Sequence, residues 1–377
     1  VSVVMEVLKK ISIKRLSYVV NFSLAYLFYI VSKWLKLDNS IKGDLWVFGS
    51  GSGLFENNVE VFLNFVIKKE SENSNNRFVF ISNKKVDNLP NNVVRLDRGS
   101  INAYYMCLNA KYIVLDTNDS DVCPGFLQKC GAKKVNVNHG QEGLKKLPAD
   151  YYEKINVDYN CAVSEIEKEI KIIECGAKPD TVIVTGLPRY DKLFGQCKFS
   201  NDILFFPTWR PWFQTSQREK DEFVKQVDCF LSTPALQRYL KESDRVLYFK
   251  VHHMMDIEPR TSYGTNIIIL QPHENLSNII RKTSTLITDY SSVCWDYIYT
   301  KREVLFFQPD KEKYLEQVGL YNLKGKALGV TAFSVESLVN ILTSEQKKVN
   351  CNSEQFFKYF DNSNCERVYN LMVKGLL

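Results

Sequence analysis

The sequence predicts two α/β units, each built on a parallel sheet, and three observations carry that prediction. The chain has 377 residues, 45% of them hydrophobic, which is enough for a sizeable core and long enough to favour two domains. Short apolar runs alternate with amphipathic stretches, the pattern of βαβ units. The alternation then starts afresh near residues 185–200.

The first element is a basic and apolar segment over residues 1–40. Lys9, Lys10, Lys14 and Arg15 precede an uncharged run from Leu16 to Ser32, and Lys33 and Lys36 follow it. A bilayer span needs roughly 17–25 apolar residues, and this run is short and interrupted by Asn21, Ser and Tyr. An interfacial helix fits best, with basic side chains at anionic headgroups and Trp34 at the boundary. A helix packed on the domain core and a true span are the alternatives. No small-residue cleavage site follows the run, as a signal peptide would require.

Residues 41–190 read as the first unit. "DLWVFGS", "RFVFIS", "AKYIVLD" and "AKKVNVNHG" are strand-like, and "NNVEVFLNFVIKKE" is helix-like. Residues 191–377 read as the second. The renewed alternation runs through "DTVIVTG", "DILFFPTWR", "RVLYFKVH", "NIIIL", "TLITDYSS" and "REVLFFQPD".

Charge and cysteine content narrow the function classes. The net charge of +6 arises from 49 basic and 43 acidic residues, so no nucleic-acid coat is implied, and a local basic cleft for an anionic ligand remains. The ten cysteines form no C-x-x-C pair and no Cys/His ligand spacing, as expected of buried thiols in a reducing cytoplasm. No metal site is predicted.

Ligands of parallel sheets bind where strands end, and four such places carry chemistry. In "VNVNHGQEGLKKL" His139 and Gly140 follow a strand, so the imidazole is either a surface or capping histidine or a general base at a strand end, and the nearby Lys145 and Lys146 favour a site for an anionic substrate. In "FFPTWRPW" Thr208 and Arg210 stand at a strand end, beside Trp209 and Trp212, which either pack or stack on a base. In "YFKVHHMM" alternation puts Lys250 and His252 on one face and His253 on the other, a pairing suited to phosphate oxygens. In "TLITDYSSVCWDYIY" Asp289, Ser291 and Ser292 occupy a strand-to-helix junction, either as a cap or as an anion cradle. Three weaker signals fall away: Gly49, Gly51 and Gly53 do not make G-x-G-x-x-G, Asp119 and Asp121 read as solvated loop, and no Walker A sequence is present.

Taken together, these segments resemble the CDP-glycerol glycerophosphotransferase family. "HGQEGLKKL" is similar to its H-G-T-P-x-K-K-L, "TGLPRYDKL" to its G-x-P-R-x-D-x-L, and "FPTWR" to its A-P-T-W-R. "FKVHH" is similar to K-x-H-P, and "ITDYSSVCWDYIYTKREVLFF" to the family's T-D-Y-S-S segment. The resemblance runs from about Leu45 to "FKYFDNSNCERV".

It implies a glycosyltransferase-B-like fold, two Rossmann-like domains with the active site between them. It also implies metal-independent transfer of glycerol phosphate from CDP-glycerol to a lipid-linked or growing teichoic-acid or capsule polymer, with CMP released. By the same resemblance His139 is the base and His252 stands at the donor phosphates. Thr208, Arg210, Lys250, Ser291 and Ser292 surround the donor, with Gly140, Arg189, Asp191 and Asp289 supporting. No cofactor beyond the CDP-polyol is implied, and the expected location is the cytoplasmic face of the membrane.

Gln141, Gly143, His253 and Glu303 depart from the family pattern and leave glycerol and ribitol open. A nucleotide-sugar glycosyltransferase or UDP-sugar epimerase of the same fold is the runner-up, and a non-enzymatic binding subunit is the third reading. Retention of both His139 and His252 argues against the last.

Overall fold

The structure, a computed structural model, describes residues 2–36, 43–71, 75–195, 198–251, 263–271, 274, 276–323, 325–344 and 352–375, with side chains from Ile13 onward. It divides into two compact units: Val1–His139 with Pro148–Lys192 and Asp361–Leu377, and Gly140–Leu147 with Leu193–Phe360.

The first unit holds a seven-stranded, wholly parallel sheet in the order β3-β2-β1-β4-β5-β6-β7. Its strands are β1 (Leu45–Gly49), β2 (Arg77–Ser82), β3 (Val93–Asp97), β4 (Tyr112–Leu115), β5 (Lys133–Asn136), β6 (Tyr159–Ala162) and β7 (Val182–Val184). Helices α1 (Ser2–Trp34), α2 (Asn57–Lys69), α3 (Ile101–Asn109), α4 (Glu165–Glu169) and α5 (Arg189–Leu193) accompany them. The central strands β1 and β4 are buried along their whole length, which is why they read as unbroken apolar runs.

The second unit repeats the plan with six parallel strands in the order β10-β9-β8-β11-β12-β13. These are β8 (Ser200–Phe205), β9 (Leu247–Phe249), β10 (Ile267–Ile269), β11 (Thr283–Thr288), β12 (Glu303–Phe307) and β13 (Val330–Ala332). Around them lie α6 (Gln217–Ser232), α7 (Pro234–Glu242), α8 (Leu276–Lys282), α9 (Cys294–Tyr299), α10 (Lys311–Gln317) and α11 (Val335–Thr343). Phe205, Phe230, Leu236, Leu247, Ile287 and Leu338 form the middle of one core. Both sheets share the Rossmann order, with strand order reversing between β1 and β4 in one and between β8 and β11 in the other.

Three expectations are corrected. "DTVIVTG" forms β7 of the first sheet, so the second unit begins with β8. The segment 191–377 is not one body, because α12 (Asn364–Lys374) returns to the first unit. Asp191 holds it there: one carboxylate oxygen accepts the Asn364 backbone N–H at 2.8 Å and the other accepts that of Cys365 at 2.8 Å. These are helix N-terminal donors that a distant carboxylate satisfies in place of a local cap. The third correction concerns the N-terminal segment 1–40, whose described helix α1 forms no separate unit and packs against α3.

The contact of α1 is narrow. Phe22 stacks on Phe126 at 4.0 Å and meets Tyr104 edge-on at 5.4 Å, and the Asn21 amide donates to Gly99 O at 3.0 Å. Leu16, Val20, Leu27, Phe28 and Trp34 remain exposed. Over Ile13–Trp34 the helix is long and apolar enough to cross a membrane.

Candidate active site

The first unit builds its site around His139, which follows β5. Asn138 adopts φ +58°, a left-handed conformation that Asn tolerates better than most residues. Three hydrogen bonds fix it. Its N–H donates to Asn136 Oδ1 at 2.9 Å, its side-chain amide donates to Cys161 O at 2.7 Å, and its carbonyl accepts from Asn58 Nδ2 at 2.7 Å. The same Asn58 accepts the Arg189 N–H at 2.9 Å, so the turn that presents His139 is tied to the start of α5.

His139 itself is 59% exposed, and its Nδ1 lies 3.6 Å from Asp116 Oδ2. Asp116 is buried at the end of β4, the strand beside β5. The contact with Asp116 raises the imidazole pKa, more than burial lowers it, while the nearby Arg189 charge opposes the rise. Burial pushes Asp116 upward, but His139, the Gly51 N–H and the Thr117 hydroxyl together hold it below the ordinary carboxylate range. The Gly51 bond is 2.8 Å long and comes from the loop after β1. Asp116 therefore bridges β1 and β4 at the reversal point and orients His139, leaving Nε2 for a ligand.

Glycines 49 and 51 belong to this architecture although they match no dinucleotide pattern. A Cβ on Gly51 would fall 2.4 Å from Thr117 Oγ1, and one on Gly49 would fall 2.5 Å from Asp121 O. The expectation of a solvated Asp121 is corrected as well, because its side chain is fully buried and accepts the N–H groups of Asp116 and Thr117 at 3.1 and 2.7 Å.

Asp121 makes a pH-dependent contribution whose sign is fixed. Burial, and then the charge of Asp116, push its carboxyl up to about 7 from 3.8, while Arg98 acts in the opposite sense. The folded state thus binds this proton more tightly than the unfolded state, and stability is lost as pH rises from about 4 through 7. Its Oδ1 has no hydrogen-bond partner among the described residues. Asp121→Asn keeps an acceptor for both N–H groups, so the variant is expected to exceed the parent in stability by about 1–3 kcal/mol at pH 8, with the gap closing toward pH 4. Urea unfolding at the two pH values checks this; an equal or lower stability at pH 8 contradicts it.

The second unit builds its site at its own reversal point, the ends of β8 and β11. Asp289 accepts the Thr208 N–H with both oxygens at 2.9 Å, the Thr208 hydroxyl at 2.5 Å, Arg210 Nη1 at 2.6 Å and the Tyr290 N–H at 2.6 Å. Arg210 also donates from Nε to Asp310 at 2.7 Å. Its guanidinium lies against Phe223 and Tyr290, at 4.6 and 5.0 Å from the ring centroids. Tyr290 in turn stacks on Tyr314 at 3.5 Å and points its hydroxyl to Asp310 at 3.3 Å.

Two site expectations change as a result. Arg210 is fully buried with Asp289 and Asp310 as its ion partners, so it is not presented to a donor phosphate. The Thr208 hydroxyl is likewise committed to Asp289. Both residues shape the junction rather than line it, as does Asp289 itself. Trp212 is buried in the core, and Trp209 packs on that core partly buried.

The remaining residues fall as follows. Lys250 stands at the end of β9 next to β8, largely buried, donating from Nζ to Gln271 O at 2.5 Å and Glu274 O at 3.2 Å. Burial lowers its pKa against the opposing pull of Glu274. Ser291 is nearly buried and its Oγ accepts the Val293 N–H at 3.3 Å, while Ser292 is half-buried before α9. Gly140 opens the segment that joins the second unit, where Tyr321 N–H donates to Leu144 O at 2.9 Å. His252 lies outside the described residues. Sequence reading missed Asp116 and Asn138, whose only advance signal was a polar residue after a strand, and Asn58, in the first turn of α2, which carried no such signal. Among the described residues no His/Cys/Asp/Glu cluster of metal-binding form occurs.

Comparison with known proteins places this arrangement. The family model for CDP-glycerol:poly(glycerophosphate) glycerophosphotransferase matches residues 32–374. The teichoic acid glycerol-phosphate primase of Bacillus subtilis is 23% identical over 300 residues, 72% of this chain and 76% of the relative. The teichoic acid ribitol-phosphate polymerase TarK of Staphylococcus aureus is 26% identical over 224 residues, 51% of this chain and 40% of the relative. The chain spans 28 to 47% of the length of four curated relatives that it matches. The wall teichoic acid polymerase TagF superposes with a TM-score of 0.69 at 19% identity, covering 94% of this chain and 98% of the other, and so shares the glycosyltransferase-B-like fold. With the family model covering nine-tenths of its length and both sheets in the expected order, the chain belongs to the CDP-glycerol:poly(glycerophosphate) glycerophosphotransferase family.

Proposed function

We propose that the protein transfers a polyol phosphate, glycerol phosphate first, from its CDP-polyol to a lipid-linked or growing teichoic-acid or capsule polymer. The observation that carries this reading is an exposed His139 imidazole backed by the buried carboxylate of Asp116. His139 takes the proton of the acceptor hydroxyl as that oxygen attacks the polyol-bearing phosphorus in line. The P–O bond to CMP breaks, and CMP leaves with the electron pair.

Charge on the transferring group is neutralised by Lys250, His252 and donors at the Ser291–Ser292 junction, with no metal or cofactor assigned a role. CMP release from CDP-glycerol is therefore expected to persist with chelator present. Folded protein that releases no CMP from either CDP-glycerol or CDP-ribitol, given a polyol-phosphate acceptor, would end this reading. Ribitol is the second reading, since ribitol-phosphate and glycerol-phosphate enzymes are matched at similar identity, 26% for a ribitol-phosphate polymerase and 27% for a poly(glycerol phosphate) polymerase. The exposed apolar face of α1 supports peripheral attachment to the cytoplasmic face of the membrane.

A further inference from the structure

The C-terminal edge of the first sheet carries a charge that the transfer chemistry above leaves unused. Arg98 follows β3, and its backbone N–H donates to Ser82 O, at the end of β2, at 3.1 Å. Its side chain passes over the end of β2 and donates from Nη2 to the Ser50 carbonyl at 2.5 Å, in the loop after β1. The next residue, Gly51, donates to Asp116, which faces His139. β1 pairs with β4, and paired strands lie about 5 Å apart. Arg98 from one side and His139 from the other therefore lean toward the same reversal of strand order, where parallel sheets bind ligands.

Arg98 is not paired as a structural arginine is. Arg210 has two carboxylates, and Arg302 fills Nε and Nη1 with oxygens of Thr300, Ile280 and Thr283. Arg98 is half-buried, bonds a neutral carbonyl, and has a buried Nε with no acceptor among the described residues. Such a donor needs an explanation. The acids near it are committed elsewhere. Asp97 pairs with Arg95 at 2.7 Å, and Asp121, which feels the charge of Arg98, gives Oδ2 to the N–H groups of Asp116 and Thr117. In the same loop the Ser50 hydroxyl donates to Leu54 O and the Ser52 hydroxyl accepts the Leu54 N–H, so Ser52 keeps a proton to donate.

A guanidinium without a carboxylate partner, beside a hydroxyl donor, suits a phosphate oxygen. A polyol-phosphate acceptor presents one at a fixed place, in the diester one polyol inward from the hydroxyl that His139 activates. We propose that Arg98, with Ser52, binds this phosphodiester of the acceptor and so holds the terminal hydroxyl at His139. This inference rests on the transfer reaction proposed above. It makes the enzyme favour an acceptor that already carries a polyol phosphate over an uncharged polyol, whose binding leaves Arg98 without its anion.

The test follows CMP release from CDP-glycerol or CDP-ribitol while a phosphodiester of two glycerols is varied as acceptor, alongside calorimetric binding of that diester alone. Arg98→Gln is expected to raise the KM for the diester and to weaken its binding about tenfold, the worth of one charge-assisted contact. The kcat and the KM for the CDP-polyol should not change. Arg98→Lys keeps the charge without the fork and should lose about threefold; it carries the test if the Gln variant does not fold. Lys85→Gln removes equal charge from an exposed position in the loop after β2 and should alter neither value. An equal loss in Lys85→Gln would mean diffuse attraction and overturn the site. A parental KM for the diester in Arg98→Gln would do the same, as would a fall in kcat alone, which assigns Arg98 to the support of Asp121. A raised KM for the CDP-polyol would give the phosphate to the donor and overturn the acceptor assignment. Arg98-dependent binding of the diester without CMP release would keep the site and sink the transfer reaction, and CMP release indifferent to Arg98 would do the reverse.

Discussion

His139→Gln should reduce kcat by about 10²–10⁴, the usual contribution of a general base, while leaving the KM for the CDP-polyol nearly unchanged. The imidazole is exposed and its loss removes no core contact, so thermal unfolding should move little. Asp116→Asn supplies the discriminating measurement. A base must be neutral to accept a proton, and the contact with Asp116 raises the pKa of His139 above its ordinary value. The acid limb of kcat/KM should therefore sit above that ordinary value in the parent enzyme and shift to lower pH in Asp116→Asn, with a lower plateau from lost orientation. A variant with reduced activity but an unmoved acid limb would leave Asp116 with a purely structural role. A fully active His139→Gln would remove the proposed base.

The second large effect is on stability. Arg210→Ala leaves Asp289 and Asp310 without their shared cation, and breaking a buried pair from one side costs about 3–5 kcal/mol. The ring contacts to Phe223 and Tyr290 disappear with it. Arg210→Met keeps most of the volume and isolates the charge effect, so it should recover part but not most of the loss. Denaturant unfolding monitored by tryptophan fluorescence reads both variants. If Arg210→Ala unfolds with the parent's midpoint yet fails to bind CDP-polyol, Arg210 contacts the donor after all and the buried network is not its main role.

Much of the fold was legible because parallel strands covered on both faces must be apolar throughout. β1, β2, β4 and β12 declared themselves in this way, whereas in β11 only Leu286 and Ile287 are apolar. β3 did not, being an edge strand with no residue fully buried, and β6 did not, because "YNCA" carries Asn160 inward toward Asn136. The site was legible where a rare residue type marks it, as with His139. It was not legible where the work is shared through space: Asp116 precedes His139 by 23 residues, and only the pairing of β4 with β5 brings them together. Charge was the misleading signal. Arg210 looked like an anion receptor, but sequence alone does not disclose that Asp289, 79 positions later, is already its partner. The tyrosine of "DYSS" had no reading at all until its stack with Tyr314 and its contact with Arg210 were visible.

The return of α12 to the first unit bears on how the protein is made. A ribosome delivers β1 to β7 before the second sheet, yet the donors that Asp191 captures are those of Asn364 and Cys365, which follow that sheet. The intervening residues, which supply the whole second sheet, are synthesised before that clasp can close. Of the two units, the one whose strands come first is thus the later to be completed. A polypeptide interrupted before residue 361 would release a second unit with all its strands and a first unit still open.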